Sequence, residues 1–289
     1  MTCPAMHSFA LSFLIACCIA IQPHHTTAQD AEPADNRFDI VARGLTFEAP
    51  DRVRPGWINF RLINASGMAH FAVIERMPEG YGLREQQDQV APVFQEGMDL
   101  LALGDNEGAN AAFGKLPAWF GDIVFTGGPG LTGPGVTSEV TMYLPPGEYL
   151  LECYVKTEGV FHSYNSEPGR DGMVRAFTVA GEPLPHSEPE ANLSVAISSE
   201  NGFTISGKPS AGANTVKISF EDQQVYANFV EHDVHLVRLS EDVELGELER
   251  WMDWRLKGGL QTPAPAVFIG GVNEMPAGSS AYLHVNLAP

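Results

Sequence analysis

The stretch Gly147-Glu148-Tyr149-Leu150-Leu151-Glu152-Cys153 decides how this 289-residue chain is read. It follows a Pro145-Pro146 turn and alternates in character. Successive side chains of an extended strand point to opposite sides, so Tyr149, Leu151, Cys153 and Val155 share one apolar face. That face belongs inside a sheet, with Cys153 buried among hydrophobic neighbours. Working outward, similar short runs occupy 38–42, 57–63, 70–75, 123–125, 136–144 and 174–179. Turn signals such as Asn64-Ala65-Ser66-Gly67 separate them. Between 84 and 113 the period changes, and Val90, Val93, Phe94, Leu100, Leu101 and Leu103 predict broken helical segments. A content of 29 Gly and 21 Pro suits a turn-rich β protein.

Four residues in this frame are of metal-ligand type: His70, Cys153, His162 and Met173. The segment Asn64-Ala65-Ser66-Gly67-Met68-Ala69-His70 resembles the turn-then-histidine element of the cupredoxins, the Greek-key β-sandwiches of the small blue copper proteins. Gly147 to Cys153 resembles their Gly-x-Tyr strand ending in a cysteine. Gly172-Met173-Val174 resembles the Gly-Met that opens their last strand. The resemblance covers about 38–179. It implies a type 1 copper site with His70, Cys153 and His162 as equatorial ligands and Met173 as the axial one. Two neutral imidazoles and a thiolate in a plane, with a weak thioether above it, suit copper and one-electron cycling. Ten residues lie between His162 and Met173, and the polar stretch 163–171 must bulge outward if the ends are to stay together. Each residue also has a plainer reading: Cys153 as an inert core thiol, His162 on a surface loop, His70 at a turn. A metal-free cupredoxin-like binding or structural module is the alternative to copper.

The second half repeats the first. Phe125-Thr126-Gly127-Gly128 aligns without a gap to Phe268-Ile269-Gly270-Gly271, and Leu144-Pro145-Pro146 aligns to Leu287-Ala288-Pro289. Gly135 matches Gly278, and Val140, Met142 and Leu144 match Leu283, Val285 and Leu287. His70 parallels His235, and each half carries a helical insert, the second at about 245–256. The expected fold is therefore mainly β: two cupredoxin-like Greek-key β-sandwich units, each with a helical insertion. The boundaries are 1–28 signal peptide, 29–37 linker, 38–181 first domain, 182–199 linker and 200–289 second domain. The second domain has no counterpart of 147–179, so it should lack its last two strands, leaving an edge for β-augmentation or for a longer gene product. It has no cysteine and is expected to hold no type 1 copper. His232 and His235 are spaced oddly and fall on opposite faces of a strand.

Charge and cysteine count narrow the function further. Asp and Glu outnumber Lys and Arg 36 to 17, for a net charge of −19. Nucleic acid is a poor partner for such a surface, whereas a basic redox protein fits it. The apolar run at 9–21 is too short to span a bilayer and ends before Thr-Thr-Ala at 26–28, the pattern of a cleaved export signal. The expectation is a periplasmic or secreted protein with no transmembrane span. A lipid anchor through Cys17 is the alternative, although the apolar run continues past it. Of four cysteines, Cys3, Cys17 and Cys18 leave with the signal and Cys153 remains unpaired. Multicopper oxidases need paired His-x-His motifs, absent beyond the signal, and copper nitrite reductases place a His where Glu152 precedes the cysteine. An electron carrier or binding protein is favoured over an enzyme.

Overall fold

The computed structural model describes residues 36–288 apart from 227–228, 231 and 241–242. The expected export segment with Cys3, Cys17 and Cys18 lies outside the described residues, as do 29–35, Glu231 and Pro289.

The first half begins with β1 (Arg37–Arg43), β2 (Thr46–Glu48), β3 (Arg52–Val53), β4 (Gly56–Asn64) and β5 (Val73–Arg76). A helical insert follows: α1 (Leu83–Glu85), a π-helical turn at 86–90, α2 (Ala91–Ala102), α3 (Asn106–Phe113) and a 3-10 turn at 118–122. Asp105 starts α3 by accepting a hydrogen bond from Gly108 N–H at 2.8 Å, a side-chain cap for an otherwise unpaired donor. The chain continues through β6 (Val124–Phe125), β7 (Thr137–Leu144), β8 (Gly147–Glu152), β9 (Lys156–Thr157), β10 (Val160–Phe161) and β11 (Val174–Val179). The second half adds β12 (Leu193–Ser198), β13 (Gly202–Gly207), β14 (Gly212–Phe220), β15 (Val225–Tyr226), β16 (Phe229–Val230) and β17 (Val234–Arg238). It ends with α4 (Leu245–Met252), β18 (Val267–Val272) and β19 (Ser280–Leu287).

Two layers enclose the core of the first half. One sheet contains β2, β1, β4 and β7, and the other runs in the order β3-β11-β8-β5-β6. Period-2 patterning supplies the facing surfaces. Phe38, Ile40, Ile58, Phe60, Leu62, Val140 and Met142 come from the first sheet, and Tyr149, Leu151 and Phe177 from the second. All are at most 2% exposed. Phe38 and Phe177 meet across the layers at 4.8 Å between ring centroids. Tyr149 closes the turn before β8 by donating its hydroxyl to Pro145 O at 2.8 Å.

The opposite face of the second sheet is not left to solvent. Glu75, Leu150 and Glu152 point that way, and the helical insert lies over them through Gln86, Val90, Phe94 and Phe120. The strand expected at 70–75 is shorter than its pattern suggests. His70 and Ala72 bond instead to Thr132 and Pro129 of the glycine-rich segment 127–135, which displaces a regular ladder. The second-half helix stops at Met252, before the expected 256. Leu260 N–H returns to Trp251 O at 2.6 Å, and Gly259 packs against the Asp253 carbonyl, where a side chain would not fit.

The second half continues the first sheet as β13-β12-β14-β19, with β19 antiparallel to β7. The aligned segments meet each other. Val140 faces Leu283 in the β7–β19 ladder, and Pro129 faces Val272 in an isolated bridge. Both pairs have the same separation as Thr141 and His284, 143 residues, and those two side chains bond at 2.8 Å. The positions that align between the two halves of the sequence therefore face one another. The described residues form one compact unit. Among them β17 pairs only with β18, whereas β5 lies between β8 and β6.

Candidate metal centre

Cys153 follows the last residue of β8 and keeps the strand's inward parity. Its side chain is fully buried, and its N–H donates to Met173 O at 3.2 Å. His70 is fixed by reciprocal backbone bonds with Thr132, at 3.1 and 2.7 Å. The Asn64 side chain ties that loop together by donating to Met68 O at 2.8 Å and to Thr132 O at 2.7 Å, while Ser66 N–H donates to its Oδ1. His162 follows the short hairpin β9–β10, and its N–H donates to Val155 O at 2.8 Å.

These three residues converge. His70 Nδ1 lies 3.6 Å and His162 Nδ1 3.8 Å from Cys153 Sγ. The imidazole centroids are 5.0 Å apart. All three ligand atoms fall within 4.8 Å of one another, and among the described residues this is the one such group of three. Met173 is also fully buried. Its N–H donates to His162 O at 2.6 Å, so its backbone sits between those of His162 and Cys153. The intervening stretch does bulge outward: Ser166 to Asp171 are exposed while His162, Ser163 and Met173 are buried. The neck of the bulge is held by Gln87, a residue the sequence pattern did not single out. Its side chain donates to Ser163 O at 3.0 Å and accepts from Gly172 N–H at 2.7 Å. Only the helical insert's position reveals it.

Burial dominates the electrostatics. It lowers His70 to a pKa of about 4, with the Gly44 backbone offsetting part of the effect. It lowers His162 to about 3, helped by the neighbouring His70. Both imidazoles are thus neutral at pH 7 and have lone pairs to offer. Burial also pushes the Cys153 thiol up to about 12, against the backbone groups of Phe71 and Val155, which favour the thiolate. Three soft or borderline donors facing one point, in a dry site, fit a cation that would deprotonate the thiol. His162 is 2% exposed. Its Nε2 meets Thr157 Oγ1 at 2.9 Å, which in turn meets Thr262 Oγ1 at 3.1 Å. The segment 254–262 docks there, with Lys156 N–H donating to Leu260 O and Thr262 N–H donating to Lys156 O. The second half therefore reaches the cluster through Thr157, the hydroxyl that bonds His162.

The two histidines of the 231–235 stretch are engaged elsewhere. His235 uses Nδ1 to accept from Leu131 N–H at 3.0 Å and Nε2 to bond Asp233 at 2.9 Å. His232 pairs with Asp222 at 3.1 Å. Glu152 turns away from the cluster, on the other side of its strand.

The sandwich is cupredoxin-like, with a His-Cys-His cluster at one end. No family model matches the chain, and no curated protein does. Among solved structures, the dithionite-reduced auracyanin of Roseiflexus castenholzii is 24% identical, covering 52% of this chain and 100% of that one, with a TM-score of 0.27. Auracyanin A of Chloroflexus aurantiacus, a blue copper protein, is 22% identical over 50% of this chain and 98% of that one, with a TM-score of 0.28. The blue copper oxidase of Nitrosomonas europaea is 12% identical over 87% of this chain and 76% of that one, with a TM-score of 0.23. No helix among the described residues is long and apolar enough to cross a membrane.

Proposed function

We propose that this protein binds one copper ion through His70, Cys153 and His162, with the Met173 thioether as a fourth candidate ligand, and acts as a one-electron carrier. The observation that carries the reading is the convergence of two imidazole Nδ1 atoms and one thiol in a buried pocket. Copper in such a set cycles between Cu(I) and Cu(II). The chain's own contribution is to hold the ligands still. Thr132 and Asn64 fix His70, the β8 ladder fixes Cys153, and Gln87 pins the loop between His162 and Met173. All three ligand side chains are buried, so the surroundings would reorganise little when the charge changes.

Export to the periplasm or outside the cell belongs to the same reading and is supported by the pattern of residues 1–28. The net charge of −19 supports a basic redox partner, drawn in by long-range attraction.

Titration of the full chain with Cu(II), followed by visible absorption, tests the proposal. An intense thiolate-to-copper band at one equivalent is expected, and Cys153→Ser should abolish it with the far-ultraviolet circular dichroism unchanged. A chain that stays colourless, or a band that survives Cys153→Ser, would sink it and leave the metal-free module as the better reading.

A further inference from the structure

A second site lies behind the cluster, on the other face of the same strand. Glu75 and Glu152 stand on the outer side of their sheet, where a two-layer sandwich would leave them in water. The helical insert covers them, and Glu274 joins them from the second half. Together they line a cavity of about 350 Å3, within the size range of small-molecule sites. Glu75 is 3% exposed, and Glu152 and Glu274 are 7% exposed.

Burying three carboxyl groups is costly unless each finds a partner. Glu152 accepts from Gln86 Nε2 at 2.6 Å, and Glu274 accepts from the Tyr154 hydroxyl at 2.6 Å. Glu75 shares a hydrogen bond with Glu152, and the charged groups acting on it, Glu152 and Glu274, are themselves carboxylates; together with burial they push its carboxyl well above the usual range. Three buried oxygens remain without a hydrogen-bond partner: Glu75 Oε2, Gln86 Oε1 and Glu274 Oε2. All three residues line the cavity. The site thus gathers three buried carboxyl groups and leaves three oxygen atoms without a partner, with no basic side chain hydrogen-bonded to any of them.

The walls select among cations. Phe71, Phe94, Phe120, Phe125, Tyr154 and Trp254 supply aromatic surface. A single metal ion needs donors gathered closely around it. Among the described residues no second group of His, Cys, Asp and Glu converges as the His70 cluster does. A quaternary ammonium ion has no N–H to give to the unpartnered oxygens. A protonated primary amine has three such donors and a positive charge that rings also attract. Met252, Asp253, Trp254 and Arg255 lie where the lining reaches the surface, Arg255 exposed and bonded to Asp253 at 2.8 Å.

We propose that this cavity binds a small primary ammonium compound with an apolar or aromatic body, its charged head between Glu75, Glu152 and Glu274 and its body against the phenylalanine and tryptophan walls. The inference does not rest on copper at the neighbouring cluster.

Calorimetric titration of the full chain without added metal tests it, with 2-phenylethylamine hydrochloride, its neutral isostere 2-phenylethanol, and calcium and zinc chlorides as probes. The amine should bind saturably and at least tenfold more tightly than the alcohol. Glu274→Gln and Glu75→Gln, checked for folding by circular dichroism, should each weaken the amine at least tenfold. Absence of saturable binding by the amine, equal binding of amine and alcohol, or a folded variant that binds the amine unchanged overturns the proposal. Calcium or zinc binding that depends on Glu274, without amine binding, overturns it in favour of a metal site. The amine–alcohol comparison uses the unmodified chain, so the test stands even if a variant does not fold.

Discussion

Met173 shows how much one residue's chemistry depends on its backbone. Its N–H and C=O are both engaged, to His162 O and from Cys153 N–H, so the residue is anchored whatever its side chain does. Replacing the thioether with a hydrocarbon removes a weak donor and little volume. Met173→Leu is therefore expected to keep copper binding and to raise the reduction potential, because Cu(II) loses more from a missing donor than Cu(I). A tenfold change in relative affinity corresponds to about 59 mV for one electron, and a shift of that order is expected by voltammetry. An unchanged potential would show that the Met173 sulfur takes no part. Glu152, next to Cys153, makes the complementary point. The period of a strand sends adjacent residues to opposite faces, so one strand serves the buried cluster on one side and the cavity on the other.

At the scale of elements, the loop from 163 to 172 depends on a close approach. A side chain at Gly172 would run into the backbone carbonyl of Ser163, which has no room to move because Gln87 holds it. Gly172→Ala should cost about 1–3 kcal/mol, the usual penalty for overpacking, and should weaken copper binding by separating His162 from Met173. Urea denaturation and copper titration of the variant check this, and wild-type values in both would contradict the close approach. Polarity and Gly/Pro content allowed the stretch to bulge outward, and only the structure decided that it does. The clasp by Gln87 was not legible, since it reaches from the helical insert to a loop some 80 residues away and leaves no periodic trace.

For the whole molecule, burial of titratable groups ties stability to pH. Burial raises Glu274 from its usual range to about 7, so the folded state holds a proton the unfolded chain releases near 4.5. Its contribution is present in full below about pH 4.5 and is lost as pH rises through 7. His70 and His162, lowered by burial, act in the opposite direction: the unfolded chain takes up protons below about 6.5 that the folded state refuses. Comparison with Glu274→Gln isolates the carboxyl. Between pH 4.5 and 7 the wild type should lose stability relative to the variant by up to about 1.4 kcal/mol per pH unit. Urea midpoints across that range measure it, and parallel curves would show that Glu274 is not held protonated.

Local periodicity and residue type determined a good deal on their own. The alternation of 147–155 and 57–63 fixed strands with buried faces, because an amphipathic strand can bury only one side. The candidate ligands His70, Cys153, His162 and Met173 came from the resemblance of their flanking segments to cupredoxins, since each residue alone has an inert reading. The gapless alignment of 125–146 with 268–289 raised the expectation of an internal duplication; that β7 and β19 are neighbours in one sheet was not contained in it. Only the tertiary structure decided the rest. It brought three ligand atoms within 4.8 Å, joined β7 to β19 in one sheet, set the second half's Thr262 against Thr157, the hydroxyl that bonds His162, and sealed Glu75, Glu152 and Glu274 into a cavity. Each of these depends on contacts between segments far apart in the chain. Hydrophobic period reports which face of an element is buried and carries no record of what covers it.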